Sequence, residues 1–133
     1  IEMMYKNIIL EEVDLVVWSR KTGGTKDTNG CTSWIGFIRQ TGCDFLSLIF
    51  NKKYKTVLTD ILYSYRAVKK KSFLTMNTQA KSFDIEIDML IKACKNNMII
   101  KEMPSREKSR VFGESKLSTI KGIAFIFQVI LGK

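Results

Sequence analysis

The order of apolar and polar positions predicts helices that alternate with short strands. Apolar residues recur at helical spacing in the segments 1–12, 32–50, 83–96 and 117–131. Short apolar or β-prone runs lie between them, at residues 13–18, 63–68 and 98–103. This alternation is typical of an α/β fold, and the unbroken apolar run at 13–18 predicts a buried strand of a parallel sheet.

Residues that interrupt regular structure divide these segments. Residues 19–30 are rich in Gly, Thr, Lys and Asn and predict a loop, and residues 51–54 predict a basic turn. Gly42 predicts a weak point or break within the second helical segment, because glycine lowers helix stability. The asparagine pair at 96–97 predicts the end of the third helix, because Asn tolerates the left-handed conformation.

Length and charge limit the organisation and the kinds of partner. The 133 residues suit one domain, and a hydrophobic share of 45% is too high for a disordered chain. The net charge of +9 favours a phosphate-bearing ligand, an acidic membrane surface or nucleic acid as partner. A solvated basic surface without any such partner is the alternative.

The absence of histidine excludes several chemistries. Acid–base catalysis by His, a Ser-His-Asp triad and a Cys/His zinc site are all excluded within this chain. The three cysteines lack Cys-x-x-Cys spacing and predict reduced thiols in a cytoplasmic protein. No apolar run is long enough to cross a membrane.

Two stretches in the middle of the chain hold residue types that line polar pockets. Asp60 follows a short apolar segment, and Arg66 follows a pair of aromatic residues. The guanidinium of Arg grips phosphate oxygens in pairs, although a turn aspartate paired with a surface arginine is the alternative. Glu86 lies in the first turn of the third predicted helix. It either complements the helix dipole, faces a ligand hydroxyl or supports a basic group.

A basic loop follows Pro104 and precedes the last predicted helix. Gly113 would allow a sharp turn or a close approach of the backbone to a ligand. Ser115 is placed to cap the helix that follows, where free amides favour an anion. With Arg110 and Lys116 beside them, these residues suit a phosphate-binding loop, and a flexible basic loop is the alternative.

These stretches come in an order that resembles family 2 glycosyltransferases, which include dolichyl-phosphate mannose synthases and polysaccharide-forming enzymes. The similar segments are 13–20 (family pattern aDlVvGSR), 59–67 (TD…YGYRA), 83–86 (F-x-x-E), 102–105 (E-V-P-S) and 110–117 (R-x-x-G-x-S-K-L). Each match alone is weak, but their shared order spans nearly the whole chain. Trp18 and Ser64 stand where the family usually has glycine, and so does Asn97.

The resemblance implies a nucleotide-diphospho-sugar transferase fold of the GT-A type with a mostly parallel sheet. It implies that residues 1–133 are the C-terminal, acceptor-side part of one glycosyltransferase domain. The nucleotide-binding half, with paired aspartates that hold Mg²⁺ or Mn²⁺, would lie upstream. The resemblance implies the activity of the full enzyme and not that of this chain alone.

The resemblance also implies roles for particular residues. Asp60 would lie near the transferred sugar, and Glu86 is the second catalytic candidate. The candidates for phosphate binding and for shaping the phosphate loop are Arg39, Arg66, Arg110, Gly113, Ser115 and Lys116.

The expected reaction transfers a sugar from a nucleotide sugar to a polyprenyl phosphate or a glycan, at the cytoplasmic face of a membrane. Nucleic acid is not an expected partner. The helix at 117–131 either lies at the membrane interface or packs on the core. The alternative functions are a basic module without enzymatic activity, which binds nucleic acid or membrane, and an inactive transferase remnant.

Overall fold

The computed structural model describes residues 2–23, 34–80 and 84–105, together with Phe127 and Leu131; for residues 3, 10 and 34–40 it describes the backbone only. The described part is a mixed α/β fold with a small sheet. Its elements are α1 (Glu2–Leu10), β1 (Leu15–Ser19), α2 (Trp34–Tyr54), β2 (Arg66–Val68), α3 (Lys70–Met76), α4 (Ile85–Lys95) and β3 (Ile100–Pro104).

The described strands form a three-stranded sheet in the order β2-β1-β3. Strand β1 pairs in parallel with β3, from Leu15 opposite Ile100 to Ser19 opposite Pro104. It pairs antiparallel with β2, where Leu15 lies opposite Val68. This part of the sheet is therefore mixed, whereas the resemblance implies a mostly parallel sheet.

The two faces of β1 are buried against different helices. Leu15 and Val17 pack in a core with residues of α2 and α4, among them Phe50 and Leu90. Val16 points to the opposite face and packs in a second cluster with Met4 of α1. Burial on both faces explains why β1 is apolar without alternation, as the sequence predicts.

Helix α2 differs from its prediction in two ways. It runs through Gly42 without a break, and it continues over residues 51–54, where a basic turn is predicted. Lys52 and Lys53 lie in its last turn, where positive charge complements the helix dipole. The rings of Phe50 and Tyr54 lie 4.6 Å apart between centroids, so an i,i+4 contact also extends the helix.

Helices α1 and α4 and strand β3 lie where they are predicted, and Asn97 adopts a left-handed φ of 51° after α4. Helix α3 is not predicted; its seven residues span about two turns, too few for a clear helical period. The predicted loop at 105–115 lies outside the described residues apart from Ser105. So does the predicted helix at 117–131, apart from Phe127 and Leu131, which are exposed.

The amino ends of β1 and β3 are joined by Asp14. Its carboxylate accepts the Ile99 N–H at 3.0 Å and the Ser72 hydroxyl at 2.7 Å. The Ser72 bond and then the Ile99 bond hold the pKa of Asp14 below its usual value, and Lys69 adds to the effect. Among the helices of the described part, none combines the length and the apolar character needed to cross a membrane.

Candidate functional site

Polar side chains collect where the parallel strands β1 and β3 end. Ser19 is the last residue of β1, and Ser105 directly follows β3. The Ser105 N–H donates to the Ser19 carbonyl at 2.8 Å, so the two strand ends are tied together. In α/β folds, ligands bind at the carboxyl ends of parallel strands, so this edge is the candidate site.

Asp60 is the buried acidic group at this edge. It is 3% exposed. Its Oδ2 accepts the Nε–H of Arg20 at 2.7 Å, and its Oδ1 accepts Nη2 at 3.2 Å. The Arg20 side chain is 41% exposed, and its guanidinium carbon lies 5.2 Å from the centre of the Tyr63 ring. The pair therefore joins a buried carboxylate to a cation that reaches solvent.

The segment that carries Asp60 has no regular secondary structure but is fixed by Glu102 of β3. Glu102 Oε1 accepts the backbone N–H of Thr59 at 2.8 Å and that of Asp60 at 3.1 Å. Its Oε2 accepts the Thr59 hydroxyl at 2.9 Å. The Thr59 hydroxyl also lies 2.5 Å from the Ser19 hydroxyl, which links the segment to the end of β1.

Arg66 holds the same segment on its other side. Its guanidinium donates to the carbonyl of Ile61 at 2.7 Å, to that of Tyr63 at 3.1 Å and to that of Glu86. Burial lowers the pKa of Arg66 to about 10, so the group stays charged at neutral pH. These donors are directed at the backbone, and phosphate binding by Arg66 stays a prediction.

Glu86 is buried in the first turn of α4 and contacts the same region. Its Oε1 accepts the Ser64 hydroxyl at 2.7 Å. The Glu86 backbone carbonyl accepts from Arg66, and the negative charge of the Glu86 side chain raises the pKa of Arg66 against the effect of burial. Ser64, which departs from the family pattern, thus supplies a hydrogen bond that glycine would lack. A catalytic role for Glu86 stays a prediction.

A cysteine lies in the electrostatic field of the Arg20–Asp60 pair. Burial raises the pKa of the Cys43 thiol, and the negative charge of Asp60 raises it further. The positive charges of Arg20 and Lys21 act in the opposite direction. Lys21 forms an ion pair with Asp44, next to Cys43 in α2. The Ser47 hydroxyl of the same helix donates to the Thr59 carbonyl at 3.4 Å, so α2 also contacts the segment that carries Asp60.

Several predicted site residues are not placed by the structure. Arg39 lies in the part of α2, residues 34–40, for which only the backbone is described. The predicted site residues outside the described part are Arg110, Gly113, Ser115 and Lys116. Their predicted convergence beside Asp60 stays a prediction. Within the described ranges, no group of three or more His, Cys, Asp or Glu side chains is arranged to hold a metal ion.

The structure adds residues to which the sequence assigns no role. Arg20, Glu102 and Ser105 all belong to segments that resemble the family, but the resemblance gives no contact for them. Their common signal is position: each lies near the carboxyl end of β1 or β3. Residues that follow parallel strands meet at one edge of a sheet, so this rule would have selected Arg20 and Ser105.

Comparison of the chain with protein-family models, with curated proteins and with solved structures gives no match. A functional assignment therefore depends on the motifs in the sequence and on the geometry around Asp60.

Proposed function

We propose that this chain is the acceptor-side part of a glycosyltransferase with a GT-A-like fold. The enzyme would transfer a sugar from a nucleotide sugar to a polyprenyl phosphate or a glycan, at the cytoplasmic face of a membrane. The observation that carries the proposal is the buried Asp60 carboxylate, held by Arg20 at the carboxyl ends of β1 and β3. The ordered resemblance to family 2 glycosyltransferases supports it.

The chemistry of sugar transfer suits these residues. The acceptor oxygen bonds to the anomeric carbon while the bond from that carbon to the nucleotide diphosphate breaks. If the acceptor is a glycan hydroxyl, its proton passes to a carboxylate base, and Asp60 is the buried carboxylate at this edge. A polyprenyl phosphate is already ionised and needs no such base. Asp60 would then orient the sugar and stabilise positive charge that develops on its ring.

Positive charge is needed near the leaving group. The departing diphosphate gains negative charge, which basic side chains stabilise. Arg20 pairs with Asp60 and is 41% exposed, so in the proposed enzyme the solvent-exposed part of its guanidinium would face a bound phosphate group. The loop residues that would add to this charge are Arg110 and Lys116, shaped by Gly113 and Ser115, with Arg39 and Arg66 as further candidates.

The proposed enzyme uses Mg²⁺ or Mn²⁺, which would neutralise charge on the diphosphate. The resemblance to family 2 glycosyltransferases implies that the ligands of this metal lie mostly outside this chain. The residues of this chain would supply the Asp60 carboxylate and the basic side chains around the acceptor.

An activity assay on the complete encoded protein tests the proposal. Membranes that contain the protein are given labelled nucleotide sugars together with polyprenyl phosphate or, separately, a glycan acceptor. We expect a labelled product with one donor, and we expect Asp60→Asn to abolish its formation. Asp44→Asn is the matched control, because Asp44 is an exposed aspartate in an ion pair with Lys21. Folded wild-type protein that labels no acceptor, or Asp60→Asn protein that is fully active, would overturn the proposal.

The same preparation separates this function from that of a basic binding module. Such a module would bind nucleic acid of any sequence, with an affinity that falls steeply as salt is added. We expect added nucleic acid to inhibit sugar transfer only weakly, and removal of nucleic acid by nuclease to leave sugar transfer unchanged.

A further inference from the structure

We infer that Glu102 is a positioning residue, which fixes the orientation of Asp60 by binding the backbone on which Asp60 lies. The inference rests on the proposed function, because it gives the hydrogen bonds between Glu102 and this backbone a role in the rate of catalysis. Glu102 lies in β3, two positions before Pro104, the last residue of that strand.

Three donors of one irregular segment meet at the Glu102 carboxylate. Thr59 and Asp60 lie in an irregular segment, so neither backbone N–H has a partner in a helix or a strand. Both donate to Glu102 Oε1, at 2.8 and 3.1 Å, and the Thr59 hydroxyl donates to Oε2 at 2.9 Å. Hydrogen bonds to a charged acceptor are about twice as strong as neutral ones. One carboxylate therefore sets the position of two successive peptide groups.

The segment that carries Asp60 is held from two sides, by Glu102 of the sheet and by Arg66. Glu102 lies in the register of β3 opposite Val17, a central residue of β1 that is 1% exposed. On the far side of Asp60, Arg66 binds the carbonyls of Ile61 and Tyr63. Asp60 thus lies between an anion that holds N–H groups and a cation that holds carbonyls. This arrangement directs its side chain towards Arg20.

Asp14 makes the same type of contact at the opposite end of the sheet. Asp14 also accepts a backbone N–H and a hydroxyl, from Ile99 and Ser72. It lies at the amino ends of β1 and β3, whereas Asp60 lies at their carboxyl ends. Loss of Asp14 should therefore destabilise the fold without moving Asp60, which makes it the matched control.

The experiment compares Glu102→Ala, Glu102→Gln and Asp14→Ala in the complete protein, with kcat and KM measured per folded molecule. Glutamine keeps an oxygen for both N–H groups, and its amide donates to the Thr59 hydroxyl. We expect Glu102→Ala to lower kcat roughly 30- to 100-fold with little change in KM, since a misplacement of about 1 Å costs about 100-fold. We expect Glu102→Gln to stay within about threefold of the wild type, and Asp14→Ala to keep the wild-type kcat.

Hydrogen exchange resolved to single amides provides a readout that does not depend on activity. We expect the amides of Thr59 and Asp60 to be protected in the wild type and to lose protection in Glu102→Ala, beyond any loss in Asp14→Ala. Equal kcat in wild type and Glu102→Ala, or equal losses in Glu102→Ala and Asp14→Ala, would overturn the inference. Unprotected Thr59 and Asp60 amides in the wild type would overturn it even for an inactive protein. Absence of wild-type activity, by contrast, counts against the proposed function.

Discussion

The guanidinium of Arg20 donates two hydrogen bonds to the carboxylate of Asp60, at 2.7 Å from Nε and 3.2 Å from Nη2. Arg20 comes from the turn after β1, and Asp60 comes from the segment before β2. The pair therefore joins two loops across the carboxyl end of the sheet. Because Asp60 is 3% exposed, its charge depends on Arg20 for compensation.

Removal of Arg20 should destabilise the protein more than removal of a surface cation. We expect Arg20→Gln to lower the free energy of unfolding by about 2 kcal/mol, because it leaves a buried charge without its partner. This figure is below that for a fully buried pair, since Arg20 is partly exposed. The double variant Arg20→Gln with Asp60→Asn should lose less free energy of unfolding than the sum of the losses in the two single variants. Urea unfolding measures all three variants.

The control for this prediction is Lys21→Gln, which breaks the neighbouring ion pair with Asp44. The Asp44 side chain is 52% exposed, so we expect a change below about 0.5 kcal/mol. Equal destabilisation by Arg20→Gln and Lys21→Gln would contradict the compensation of Asp60 by Arg20.

The reactivity of Cys43 should depend on the charges of Arg20 and Asp60. Besides burial, Asp60 raises the pKa of Cys43 and Arg20 lowers it. Asp60→Asn should therefore lower this pKa and speed alkylation at pH 8 roughly two- to fivefold, because more thiolate is present. Arg20→Gln should slow alkylation. Peptide-resolved mass spectrometry separates Cys43 from the other thiols.

Cys94 is the internal control for the alkylation experiment. Burial alone raises the pKa of Cys94 to about 11, so neither substitution should change its rate. Parallel changes at Cys43 and Cys94 would indicate general loosening of the fold and would refute an electrostatic effect.

The sequence predicts the parts of the fold that depend on local patterns. The apolar run of β1 and the helical spacing of α4 are clear because each extends over enough residues to define a period. The end of α2 is not predicted, because residues 51–54 have a turn-like composition and are held in the helix by Lys52, Lys53 and the Phe50–Tyr54 contact. Helix α3 is too short to show a period.

The candidate site is less predictable for a geometric reason. The sequence singles out Asp60, but its contacts come from residues about 40 positions away, Arg20 before it and Glu102 after it. Such pairings depend on how the strands align, and no local pattern carries that information. The sequence also gives Arg66 the chemistry of a phosphate ligand, whereas its observed contacts are backbone carbonyls.

Gly23 and Gly42 should respond in opposite ways to alanine. Gly42 lies within α2, and a Cβ there would meet no atom within 4 Å. Gly42→Ala should stabilise the protein by about 0.5–1 kcal/mol, because alanine favours the helix and restricts the unfolded chain. Gly23→Ala should be destabilising, because a Cβ would overlap the backbone of Ser105. Thermal unfolding of both variants checks the prediction, and a stabilised Gly23→Ala would refute the close packing of the two loops.

Asp14 should make part of the stability dependent on acid. Hydrogen bonds from Ser72 and Ile99 lower the pKa of Asp14 in the folded state, whereas the unfolded chain has the ordinary value near 3.8. The unfolded state therefore binds a proton at higher pH than the folded state. It follows that the contribution of Asp14 is present above the ordinary pKa and is lost as pH falls through the lowered one.

We expect Asp14→Asn to cost about 1 kcal/mol at neutral pH, a figure reduced for partial exposure, and progressively less below about pH 4. Urea unfolding between about pH 3 and pH 7 measures the difference between wild type and variant. Glu2→Gln is the control, because the Glu2 side chain is 82% exposed and its ion pair with Lys6 lies on the surface of α1. A difference between wild type and Asp14→Asn that stays constant over this range would show that the Asp14 carboxylate does not titrate with folding.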